Sequence, residues 1–321
     1  MMRRARFLLV VCWAAILSVA LSSCAKKGTV EGGRKRVTVV TTLFPLYDFA
    51  RTIGQDKVDA SLLLPPGVEA HSFEPRPGDI VRINVADVFV YTGRFMEPWV
   101  ADLLRSLANK TLIVADASEG INLIEGTGEH EENESVAEAT HPHGGMDPHI
   151  WLDFSNAQKM VDTICAALVE KDPQSKEFYL KNAEDYKRQL AGLDQEYQQA
   201  LAQCRYRTII HAGHFAFGYL AKRYSLTFLS AYKGFSPDAE PTPRDISELI
   251  EKTKQSGVKY VYYEELISPK VARTLAAEAG VQLLPLNGAH NVSRDALARG
   301  DTFLSVMQRN LESLKKGLEC P

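Results

Sequence analysis

From Val37 onward the chain alternates short apolar runs with stretches whose apolar residues recur every three or four positions. "VTVVTTLF", "VDASLLLP", "DVFVYTG" and "TLIVADA" are brief and rich in β-branched residues, which predicts strands. Between them, "LYDFARTIG", "PGDIVRINVA" and "EPWVADLLRSLAN" carry helical spacing. The second half repeats the grammar. "RTIIHAG", "LTFLSAY", "VKYVYYEE" and "VQLLPLN" read as strands, with helices near 215–224, 243–256, 268–279 and 301–317. Strand–helix–strand alternation implies parallel sheets covered by helices. The expected class is α/β, with two lobes, each a parallel sheet flanked by helices.

Between the halves the texture changes. Residues 155–171 read as one helix, stopped by "DPQ". Then "SKEFYLKNAEDYKRQLAGLDQEYQQALAQC" runs without proline, with Phe178, Tyr186, Leu190, Leu193, Tyr197 and Leu201 at helical spacing. A helix of that length spans roughly 40 Å, enough to join two lobes as a rigid connector that limits closure. The expected division is an N-terminal lobe at 37–154 with a His/acidic loop at 125–148, a helical segment at 155–203 including the linker helix, and a C-terminal lobe at 204–321.

The first residues follow other rules. "MMRRAR" is cationic and "FLLVVCWAAILSVAL" is an apolar stretch of signal-peptide length, short for a membrane span. "LSSC", ending at Cys24, resembles a bacterial lipobox. That resemblance implies removal of residues 1–23, acylation of Cys24, and a flexible tether over 24–36. The chain is then exported and lipid-anchored to a bacterial membrane, on its periplasmic or cell-surface side; an ordinary secretory signal is the alternative.

A formal charge of −3 over 321 residues supplies no basic surplus for nucleic acid, and a monomer is expected. Five cysteines are too few for a disulfide scaffold. Cys165 falls on the apolar face of a helix. An exported setting permits a Cys204–Cys320 bridge pinning the C-terminus, two free thiols being the alternative.

The chemistry lies with the eight histidines. His71, His149, His214 and His290 each follow a predicted strand or sit in a connecting loop, two per half. In open parallel sheets those loops line the ligand crevice. Four imidazoles converging there make a metal-site constellation of the kind that suits Zn²⁺, Cu or Ni. His211, at the end of a predicted strand, is expected buried beside such a site. His130, His141 and His143 belong to the acidic loop, either as an auxiliary, weaker metal station or with no metal role.

"GVEAHSFEP", "DPHIWLD", "GHFAFGYLAKRYSL" and "YYEELISPKVARTLAAEAG" together resemble the metal-receptor lipoproteins of bacterial zinc and manganese ABC importers. The resemblance covers essentially the whole chain from Val37. It implies two βα lobes joined by a long helix, one metal ion between them, and delivery to an ABC permease and its ATPase. Carried over by motif, the ligands are His71, His149 and His214, although Phe215 stands where the family commonly has Asp. The last-loop carboxylate of the manganese type matches Asn287, and the Glu that some zinc receptors place three residues later falls on His290. The fourth ligand therefore stays open between His290, Glu264 and water, and Glu264 reads equally well as an acceptor behind an imidazole.

A nitrogen-rich shell favours Zn²⁺ over Mn²⁺, with a manganese or iron receptor of the same fold as the alternative. With neutral imidazoles alone, binding should weaken below about pH 6, since free histidine titrates near about 6.5. An exported metallohydrolase is the rival class. His211-Ala-Gly-His214 lacks the glutamate of H-E-x-x-H, and no nucleophile elbow occurs, so no enzymatic activity is expected. A surface-adhesin role on the same fold remains open to the sequence.

Overall fold

A computed structural model describes residues 36–125, 145–232, 234–235, 241–266 and 268–321. The signal segment, Cys24, most of the tether, and the loop histidines His130, His141 and His143 lie outside the described residues.

Four short strands, β1 (Val37–Thr41), β2 (Val58–Leu62), β3 (Val88–Tyr91) and β4 (Ile113–Asp116), form one all-parallel sheet in the order β2-β1-β3-β4. The second half repeats it with β5 (Thr208–His211), β6 (Thr227–Ser230), β7 (Tyr260–Tyr263) and β8 (Gln282–Pro285), in the order β6-β5-β7-β8. Such strands are apolar on both faces because both faces are covered. Val39, Val88 and Val90 enter a core that runs through both halves, whereas Val40 and Phe89 pack outward under helices. In the second half Ile209 and Tyr262 join the shared core, and Ile210 and Val261 pack against the outer layer.

The first sheet is flanked by α1 (Phe44–Gly54), α2 (Pro77–Val85) and α3 (Val100–Ser106). Then come α4 (Phe154–Lys171) and the long α5 (Lys176–Leu201). The second half adds α6 (Gly218–Arg223), α7 (Pro243–Ser256), α8 (Lys270–Ala279), α9 (Arg294–Ala298) and α10 (Phe303–Gly317).

At 26 residues, α5 is about 39 Å long. Its buried stripe is Tyr179, Ala183, Tyr186, Leu190, Leu193, Tyr197 and Leu201, a three-and-four spacing that keeps one face on the core. Phe178 is only partly buried, with Tyr179 taking the interior position, and Lys57 Nζ lies over the Phe178 ring. Buried Asp48 of α1 ties the two ends of the chain together. It accepts from Tyr186 Oη at 3.3 Å and from the first backbone N–H of α10, that of Phe303, at 2.9 Å. Arg223 of α6 bridges to Asp194 of α5 at 2.7 Å and to Asp153, the N-cap of α4, at 2.9 Å.

The helices differ from expectation most clearly at three places. The stretch 97–109 narrows to Val100–Ser106 because Asn84 Oδ1 takes the backbone N–H of Ala108 and Asn109, turning the chain away. The helix expected at 215–224 starts only at Gly218, since the Phe215 N–H bonds to Gly234 O. The short α9, capped by Ser293 Oγ on the Ala296 N–H, has no counterpart in the periodicity reading. Cys204 and Cys320 are joined in a disulfide, and Cys165 is a buried free thiol.

Candidate metal centre

The strand order makes the site. In each sheet the chain leaves β1 or β5 in one direction and β3 or β7 in the other, so a crevice opens beyond their carboxyl ends. His214 follows β5, His71 follows β2, and His290 follows β8. His149 lies beyond β4, immediately before a single turn of 3₁₀ helix at Ile150–Leu152.

Three imidazoles meet edge to edge. His149 Nε2 lies 3.2 Å from His71 Nε2 and 3.2 Å from His214 Nε2. Four nitrogens held about 2.0–2.1 Å from a tetrahedral Zn²⁺ would be about 3.3–3.4 Å apart, so the spacing matches one edge after another of that figure. His149 and His214 are fully buried, His290 nearly so, and His71 is the most accessible of the four.

Behind two of these rings stands a carboxylate. Asp147 Oδ1 is 2.8 Å from His149 Nδ1 and also accepts the His149 backbone N–H at 2.9 Å. Glu264 Oε1 is 2.8 Å from His214 Nδ1. A carboxylate at Nδ1 fixes the proton there and leaves the Nε2 lone pair pointing forward. The forward nitrogens of His149 and His214, 3.2 Å apart, are thus acceptors facing each other, an arrangement that a cation resolves.

Glycine permits the close approach. A Cβ on Gly213 would come within 2.5 Å of Glu264 Oε1 and 2.7 Å of His211 Cε1, and one on Gly218 within 2.5 Å of Asp147 Oδ2.

His290 approaches from the other side. His214, Glu264 and His290 offer ligand atoms within 4.8 Å of one another, as do His71, His149 and His214, but the two groups do not merge into one. Neither ring nitrogen of His290 has a hydrogen-bond partner among the described residues, and its Nε2 is 4.0 Å from Glu69 Oε2. His211 sits at the end of β5, fully buried against Phe217 and Phe228, with Nε2 3.8 Å from Glu264 Oε1. Asn287 is turned to its own loop, its Oδ1 accepting the Ala289 N–H.

Electrostatics amend the pH expectation. Loss of hydration on burial, reinforced by the neighbouring imidazoles, holds His71 and His149 well below the usual histidine range. Burial also lowers His290 and pushes His211 down to about 4. At His214 burial works the same way but is outweighed by the Glu264 carboxylate, so its pKa rises. Burial pushes Asp147 up to about 8. Three of the four imidazoles thus need no alkaline shift to be free of protons, and the free-histidine value does not describe them. The sequence reading also missed Asp147, although its spacing two residues before His149 was a usable signal. It missed the interlobe hydrogen bond of Trp151 Nε1–H to Gly288 O, 2.7 Å long, for which no local signal exists.

Comparison with known proteins points one way. The sequence model of the family described as zinc-uptake complex component A, periplasmic (ZnuA), matches residues 39–317. The high-affinity zinc uptake system protein ZnuA of Bacillus subtilis is 38% identical over 312 residues, covering 97% of this chain and 96% of that protein. The zinc-binding lipoprotein AdcA of Streptococcus pneumoniae is 35% identical over 303 residues, covering 94% of this chain but only 59% of its own length. Among solved structures, the Zn(II)-bound ZnuA-like domain of Streptococcus pneumoniae AdcA superposes with a TM-score of 0.74 at 33% identity, over 89% of this chain and 100% of that one.

Proposed function

The chain belongs to the periplasmic zinc-uptake component A family, and on that premise we propose that His71, His149 and His214 capture one Zn²⁺ with His290 closing the shell. The protein is an extracytoplasmic zinc receptor that delivers its ion to an ABC permease and its ATPase. The supporting observation is the edge-to-edge meeting of three Nε2 atoms through two 3.2 Å contacts, with carboxylates behind two of the rings. Glu264, held below the usual carboxylate range, gives the buried dication counter-charge that a set of neutral imidazoles lacks, and Asp147 orients the His149 ring. We take 37–154 and 204–321 as the two lobes and the 155–203 segment as their connector. The chain acts as a monomer, held to its membrane through acylated Cys24, and treats zinc as cargo rather than as a catalytic ion. Among the described residues no helix is long and apolar enough to cross a membrane.

Elemental analysis and Zn²⁺/Mn²⁺ competition on protein purified without added metal test the reading. One tightly held Zn²⁺ per chain, displaced poorly by Mn²⁺, is expected; stoichiometric Mn²⁺ with no preference for Zn²⁺ contradicts it. Deleting residues 126–144, with His130, His141 and His143, should remove any weaker second ion and spare the tight one.

A further inference from the structure

His71 is carried by a long stretch without regular structure, between the end of β2 and the start of α2. That stretch begins with a tight turn, Pro65-Pro66-Gly67-Val68, closed by the Val68 N–H on Pro65 O at 3.1 Å. Gly67 takes φ +83, the left-handed conformation that position i+2 of such a turn requires. Pro65, Gly67 and Val68 are exposed, so packing alone does not fix the turn.

The turn is instead fixed from the opposite half of the chain. Asn291, adjacent to His290 and fully buried, donates both Nδ2 hydrogens into the turn, to Pro65 O and to Val68 O, each at 2.8 Å. Its Oδ1 accepts the Val292 N–H at 2.8 Å, and Val292 O accepts the Gly67 N–H at 2.9 Å. The orientation of the amide follows from its partners, since two carbonyls demand an NH₂ group and an N–H demands the oxygen. On the same loop, His290 O accepts the Phe44 N–H at 3.1 Å and Gly288 O accepts Trp151 Nε1–H at 2.7 Å.

We propose that Asn291 is a positioning residue for zinc, fixing the turn that aims His71 to the loop that carries His290. The proposal rests on the ligand reading given above. Without the amide, the His71 loop loses two of its three hydrogen bonds to 291–292, and the Nε2 of His71 is no longer held against that of His149. No other side chain of this size supplies two donors and one acceptor here. Aspartate, of the same shape, would set a buried carboxylate against two carbonyl oxygens.

The test uses the whole mature chain, with Zn²⁺ affinity measured against a chromophoric chelator and the visible spectrum of the Co²⁺-loaded protein as a report on the ligand set. Asn291→Ala should weaken Zn²⁺ about ten- to a hundredfold, the scale of losing an outer partner of a ligand. It should also move the Co²⁺ spectrum toward that of His71→Ala. The double variant His71→Ala/Asn291→Ala should bind no more weakly than His71→Ala alone, because both changes remove one contribution. Asn291→Ser, keeping one donor, should fall between, and the same readouts on it decide the matter if the alanine variant does not fold. A variant that melts earlier yet keeps wild-type affinity and spectrum, or whose loss adds to that of His71→Ala, overturns the proposal. If His71→Ala itself binds like wild type, the ligand reading falls and takes the Asn291 proposal with it.

Discussion

Each half of the molecule places a buried glutamate beyond the third strand of its sheet, at the switch point of the strand order, and the two meet opposite fates. Glu97, beyond β3, is bound by the Thr42 hydroxyl at 2.5 Å and by the backbone N–H groups of Thr92 and Gly93 at 3.1–3.2 Å. Burial nevertheless pushes it up to about 7. Glu264, beyond β7, faces His214, His211 and His290, and their combined influence outweighs burial and holds it below the usual carboxylate range. The residues beyond the neighbouring strand decide the outcome. After β1 stands a threonine, and the carboxylate becomes a brace; after β5 stands a histidine, and the carboxylate becomes the partner that aims an imidazole. A shared topology supplies the position twice, and side-chain chemistry sets a carboxylate against imidazoles at only one.

The comparison breaks most readily at the imidazoles. His149→Ala removes the nitrogen that both other Nε2 atoms touch, and zinc affinity in chelator competition should fall by more than the about 10–100-fold typical of an outer partner. Glu264→Gln should lose about 10–100-fold by the same measurement. Glu97→Gln should leave affinity within about twofold, because its hydrogen-bond partners are Thr42, Thr92 and Gly93 rather than a histidine of the cluster; equal losses from both glutamates would erase the difference between the two halves. Gly213→Ala presses a methyl group onto Glu264 and His211, and a loss of about tenfold in zinc affinity is expected if it displaces the carboxylate by a fraction of an ångström.

The smallest effect is on stability. Glu97 is held at about 7 in the folded chain against 4.5 for an ordinary glutamate, so the folded state binds the extra proton between those values. Its contribution is complete below about pH 4.5 and is lost as pH rises to about 7. The melting temperature of Glu97→Gln relative to wild type should therefore climb across that window and level off above it. A flat difference would show that Glu97 ionises normally.

Much of this was legible in the sequence because it is local. β-branched runs such as "VTVVT" and "TIIH" marked strands, and the stripe from Tyr186 to Leu201 marked the long helix. The rule that ligands gather beyond strand ends pointed to His71, His149, His214 and His290, which the structure gathers around His214. What was hidden depends on distance. Asn291 bonds to residues 223 and 226 positions away, and Trp151 to one 137 away, with no trace in any window of sequence. Glu97 reads as an ordinary helix-start acid until the fold carries Thr42 to it. Burial likewise amends the free-histidine pH argument, lowering His71, His149 and His290 while Glu264 raises His214, since the sequence does not state how far water is excluded from each ring.

Zinc K-edge X-ray absorption on protein loaded with one equivalent of Zn²⁺ reads the ligand set itself. At least three imidazoles with Zn–N distances of about 2.0–2.1 Å are expected, and a fourth where His290 closes the shell. A shell with two imidazoles or fewer, or one containing sulfur, would contradict that ligand set.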